Sequence, residues 1–223
     1  MSRLRLFLPL VLLAALPGAV AAQDVAARLD ARVSPEVRQA VVKITTEAAA
    51  RGLPVEPLVQ KAIEGGAKGV PADRVIAAVR TLAGHLGEAM GALREAGIAT
   101  PDGDIVEGGA DALNAGFSSR DVRDLVRVSR APYDPALTLR VAATLAALDV
   151  PTNQAIQLVE GIISAGRSTD DLLALPGEVQ AGIGRGATPA QAAAGLARAM
   201  EAGRPAMPPG LTKKGKPVNP HRP

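Results

Sequence analysis

Apolar residues along most of this chain recur three and four positions apart, and the runs stop at single glycines. Val37, Val41, Ile44 and Ala48 form one such stripe, and Leu137, Val141, Leu145 and Leu148 another. A spacing of three and four keeps residues on one face of an α-helix. The alternation of apolar and polar residues that marks a half-buried strand is missing, so the pattern predicts an all-α chain.

The stops share one composition. A glycine (or Asp149) closes a helix, one residue follows, and Pro, Ser or Thr opens the next. The examples are Gly52-Leu53-Pro54, Gly69-Val70-Pro71, Gly116-Phe117-Ser118, Asp149-Val150-Pro151, Gly166-Arg167-Ser168 and Gly186-Ala187-Thr188. Glycine reaches the left-handed conformation that ends a helix, proline suits the first helical turn, and hydroxyl or carboxylate side chains cap free N–H groups. Ser118 with Asp121, Ser168 with Asp171, and Thr188 with Gln191 have the spacing of reciprocal capping boxes.

These signals predict a short opening helix over Asp24–Val33, a second from Ser34 to Gly52, and a third that stops near Gly65-Gly66. The longest runs from Ala72 to Glu95. Its seam of Ile76, Val79, Ala83, Leu86, Met90 and Leu93 faces a neighbouring helix, and Gly84, Gly87 and Gly91 beside the seam predict close approach of another backbone. Later helices start at Ser118, Asp134-Pro135 and Pro151-Thr152. Ser168 opens a short turn through Leu175, Pro176 starts a further segment to Gly184, and the last helix runs from Pro189 to about Ala202. Helix pairs recur at roughly 35 residues, the period of helical-hairpin arrays. The expected architecture is an irregular, solenoid-like hairpin repeat or a compact multi-helix domain over residues 23–203.

The two ends differ from this body. Arg3 and Arg5 precede an apolar run from Leu6 to Leu16, followed by Pro17-Gly18 and the small residues Ala19-Val20-Ala21-Ala22. That is the layout of a secretory signal peptide spanning 1–22, and the run is shorter than the ~20 residues that span a bilayer. The expected location is the periplasm or the extracellular space, with no transmembrane span after cleavage. Residues 204–223 carry six prolines, five basic residues and no acid, and are expected to form a disordered basic tail. Between Gln23 and Gly203, 18 Lys and Arg stand against 22 acids, so the body is mildly acidic and a domain-wide nucleic-acid footprint is not expected.

The chain has no cysteine, which excludes disulfides and thiolate chemistry. Phe117 and Tyr133 are the only aromatics after the signal, so the core must be built from Ala, Val and Leu. No paired catalytic motif, phosphate-binding loop or metal-ligand set is present, and no cofactor is expected. His85 stands alone, with Glu88 three residues on. Asp102 and Asp104 match only two positions of a calcium loop and read better as the acidic start of a helix. Arg120, Arg123, Arg127 and Arg130 are spaced three, four and three, a basic stripe suited to an anionic partner, although Asp124 lies within reach of Arg120 and Arg127. Lys213, Lys214, Lys216 and Arg222 form a second basic group in the tail. Two functions are expected from this: a non-enzymatic exported binding or scaffold module whose partner is a protein or an anionic envelope component, or a small-ligand carrier or enzyme with a pocket between helices. N-terminal sequencing of the exported protein should begin at Gln23; a mature protein that retains Arg3 and Arg5 would contradict the signal reading.

Overall fold

A computed structural model describes the backbone of residues 17–203 and the side chains from Gln23 onward. The tail cations Lys213, Lys214, Lys216 and Arg222 and most of the expected signal therefore lie outside the described residues. Among the described residues the chain is all-α, with ten helices and no strand. The helices are α1 (Pro17–Leu29), α2 (Pro35–Ala50), α3 (Glu56–Ala67), α4 (Ala72–Glu95) and α5 (Gly103–Asn114), then α6 (Ser119–Val128), α7 (Pro135–Ala147), α8 (Thr152–Ser164), α9 (Thr169–Gly184) and α10 (Pro189–Glu201). No helix is long and apolar enough to cross a membrane among these residues.

The punctuation works as its chemistry dictates. All six predicted stop residues take positive φ, from 62° at Asp149 and Gly166 to 94° at Gly116 and Gly186. The residue after each stop then donates its N–H back to a carbonyl five positions earlier: Leu53 to Ala48 at 3.0 Å, Phe117 to Ala112 at 3.1 Å and Val150 to Leu145 at 3.2 Å. This satisfies carbonyls that the helix end leaves free. Leu53, Phe117 and Val150 are themselves buried, so the returning backbone carries an apolar side chain into the core. The three capping boxes form as reciprocal pairs.

Three boundaries differ from the sequence reading. The opening helix occupies Pro17–Leu29 rather than Asp24–Val33, because Ala31 takes a φ of 58° and breaks the helix just after the fully buried Leu29. Helix α3 continues past Gly65 and Gly66 to Ala67, and the positive-φ Gly69 closes it. Pro176 does not start a segment; it sits inside α9, where Leu172, Leu175, Val179 and Gly182 form one buried face across it. Proline removes one backbone hydrogen bond there, and the burial of that continuous face outweighs the loss.

The glycines also divide differently than expected. Gly84 and Gly91 in α4 face open space, since a Cβ on either would meet nothing within 4 Å. Close approach occurs elsewhere. A Cβ on Gly108 would lie 3.0 Å from the Ala136 carbonyl of α7, and one on Gly109 would lie 2.9 Å from the Ala89 Cβ of α4. In α9, a Cβ on Gly182 would lie 2.8 Å from the Ala192 Cβ of α10. The α4 seam itself is placed as expected: Ile76, Val79, Leu86, Met90 and Leu93 are buried, and Ala83 is half-buried.

The backbone contacts cluster in two compact units that divide between Ala83 and Gly84, inside α4. In the first unit α1, α2 and α3 pack on one another, and Arg28 of α1 makes a bidentate pair with Glu56 of α3 at 2.7 and 2.6 Å. Hydrogen bonds from Arg28 and then Gln60 hold the Glu56 carboxyl at about 2. In the second unit α5 packs most extensively on α7, and from α5 to α10 extensive contacts run to the next helix or the next but one. That is the pattern of helices stacked in succession. The buried hydroxyls are satisfied locally: Thr45 donates to the Val42 carbonyl, Ser129 to Leu125 and Thr138 to Asp134.

These contacts predict opposite effects for two similar substitutions. Gly91→Ala should stabilise the protein by about 0.5–1 kcal/mol, because alanine loses less entropy in an exposed helical position. Gly109→Ala should destabilise by about 1–3 kcal/mol through overpacking. Urea unfolding of both variants measures this, and shifts of the same sign would contradict the assigned contacts.

Candidate functional site

Helix α6 is fixed at its start by the Ser118–Asp121 capping box, in which the Ser118 hydroxyl lies 2.7 Å from Oδ2 of Asp121. Val122, Leu125 and Val126 bury its other side, so its arginines are presented outward. Three of them converge on one carboxylate. Asp124 lies 3.6 Å from Nε of Arg120, 3.6 Å from Nε of Arg123 and 3.5 Å from Nη1 of Arg127. Glu95 adds a second anchor, accepting from Arg123 at 3.0 Å through its carboxylate and from Arg127 at 3.0 Å through its backbone carbonyl. Most of the stripe's charge is thus committed to neighbours within the chain. Such exposed pairs contribute little to stability, about 0–1 kcal/mol each, and they orient the guanidinium groups.

Arg130 is different. It follows the end of α6, is exposed, and makes no ion pair among the described residues. Its segment is anchored by Tyr133, which is buried and whose hydroxyl hydrogen-bonds the carbonyls of Arg167 and, at 3.3 Å, Ile162. The phenol therefore ties the α6–α7 connection to the end of α8, filling carbonyl valences that a helix terminus leaves open. Arg167, just beyond α8, also pairs with Asp171 at 3.2 Å. The Ser168 hydroxyl hydrogen bond holds the Asp171 carboxyl below the usual carboxylate range, while burial pushes Glu178 above it.

This anchoring shapes a groove of about 1050 Å³ among α6, α8 and α10. Val128, Ile163, Ala197 and Met200 give it apolar surface; Arg127 and Arg130 edge it from α6, and Glu160 and Glu201 contribute acids. The Met200 methyl of α10 packs against Gly161 of α8, where a Cβ would lie 3.3 Å from it. Among the described residues Val128 is one of three large apolar side chains left exposed, at 37%. The sequence pointed to two of the groove's residues, Arg127 and Arg130. It did not point to Gln157, Glu160 or Met200, because nothing in a sequence aligns α8 with α10; the only local signal was Val128, an apolar residue off the buried face of α6.

The other candidates have local roles. Asp102 caps α5 by accepting from the Ile105 N–H at 3.0 Å, and Asp104 lies 3.8 Å from Arg140. Glu88 accepts from the Ser119 hydroxyl, and the buried Nδ1 of His85 has no hydrogen-bond partner among the described residues. Among the described residues no group of three or more metal-binding side chains occurs. Set against protein-family models, curated proteins and solved structures, the chain has no significant match.

Proposed function

We propose that this protein is an exported binding or scaffold module, working in the periplasm or outside the cell without catalysing a reaction. The groove among α6, α8 and α10 carries this reading: it combines exposed apolar surface with Arg130, a cation that makes no ion pair among the described residues. The basic residues Lys213, Lys214, Lys216 and Arg222 supply a second, electrostatic attachment to an anionic envelope component such as acidic lipid headgroups. The groove and the tail thus divide the work into shape recognition and charge attraction.

A second reading, a small-ligand carrier or an enzyme with a pocket between helices, is favoured by one observation. The groove volume of about 1050 Å³ falls at the upper end of what small-molecule sites enclose. A ligand that raises the melting temperature of a tail-substituted variant would point that way.

The binding reading is tested with vesicles containing phosphatidylglycerol. The full chain should co-sediment at low salt and be released as salt shortens the screening length below about 10 Å. Replacing Lys213, Lys214, Lys216 and Arg222 with Gln should weaken retention at least tenfold, given about 1 kcal/mol per cation at an anionic surface. Retention that ignores both salt and these substitutions would contradict the tail's role.

A further inference from the structure

We infer that the α6/α8/α10 groove is closed by a second copy of this chain, related by a two-fold axis, so that α10 of each molecule lies against α6 of the other. This rests on the reading of the groove as a docking surface. The first argument is how the stack of helices ends. Stacked helices require a last member with a polar outer face. Helix α10 packs on α8 and α9, and of its 13 residues only Gln191, Arg198 and Glu201 are polar or charged. Ala190, Ala194 and Ala197, spaced four and three apart, share one face of it and are only half-buried. Ala197 lines the groove, so this face belongs to the groove wall. Its side chains are small, which lets another helix approach closely.

The second argument is charge. Arg127 and Arg130 edge the groove from α6, while Glu160 of α8 and Glu201 of α10 line the rest of it. Arg130, Glu160 and Glu201 make no ion pair among the described residues, so their charge is free to select a partner. A partner of one sign, such as a polyanion, is attracted at one wall and repelled at the other. A two-fold axis through the groove exchanges the walls. The arginines of each copy then face the two glutamates of the other, and every favourable pair occurs twice. The same rotation brings Val128, 37% exposed on α6, towards Met200 of the second copy. An unbranched thioether adapts to such a neighbour. One contact thus covers the exposed apolar residue of α6 and the unfinished face of α10 together.

Sedimentation velocity of the full chain over a range of concentrations tests this. The natural protein should dimerise with a dissociation constant on the order of 1–100 μM. Arg130→Glu and Glu201→Arg each place like charges together twice in the dimer and should weaken it at least about tenfold. Both positions are exposed, so the fold should survive, and circular dichroism checks that it does. Mixed in equal amounts, the two variants should recover the natural affinity, because the substituted position 130 of one copy then meets the substituted position 201 of the other with opposite charge. A mixture no tighter than either variant alone overturns the inference. So does a natural protein that stays monomeric up to about 1 mM, which leaves the groove to a different occupant. A dimer indifferent to both reversals overturns it as well; its loss on Leu173→Glu would place the contact on α9, where Leu173 is 50% exposed. A monomer with salt-sensitive vesicle retention would overturn this inference alone and leave the proposed function standing. A charge-dependent dimer that vesicles do not retain would support this inference and contradict the tail's role.

Discussion

At Gly108 and Gly109 there is no room for a side chain between α5 and the helices beside it, and the packing of the second unit depends on that. Gly108 meets the backbone of α7 and Gly109 meets Ala89 of α4, so two adjacent residues without a Cβ let two neighbours approach at once. A chain with two aromatics in its body cannot fill wide gaps between helices. It reaches native packing density by bringing backbones close and interleaving Ala, Val and Leu. The same device recurs where Gly182 meets Ala192, which seats α10 on α9 and so completes the third wall of the groove.

Much of this architecture was legible because helix ends are local. The stop residues, the capping boxes and both ends of α4 follow from a few neighbouring residues, and the contacts that enforce them lie within one turn. What failed was whatever depends on residues far apart in sequence. Gly84 and Gly91 looked like contact points and face open space, while Gly108 and Gly109, within an acidic stretch read only as a helix start, carry the tight packing. Pro176 looked like a boundary because the local cost of proline is visible, and the buried face that outweighs it is not. The site was half legible. The arginine stripe is periodic and therefore readable, but the groove exists only because α10 returns to α8.

Functionally, the structure separates the four arginines that the sequence grouped. Arg120, Arg123 and Arg127 share Asp124, and Glu95 engages two of them, so they behave as a balanced face; among the described residues Arg130 alone of the four makes no ion pair, and it edges the apolar groove. Recognition is thereby proposed to concentrate at the groove, and long-range attraction at the tail. In the sequence the tail follows α10, the helix that forms one wall of the groove.

The central claim is that the helices of the second unit stack in succession, so that the groove depends on the last contact of the stack. Amide hydrogen exchange of a Gly182→Leu variant tests it most directly. The account predicts that α10 loses protection while α5 and α7 keep theirs, because stacked helices are stabilised mainly by their near neighbours. Loss of protection throughout α5–α10 together, or an α10 that stays fully protected, would contradict it.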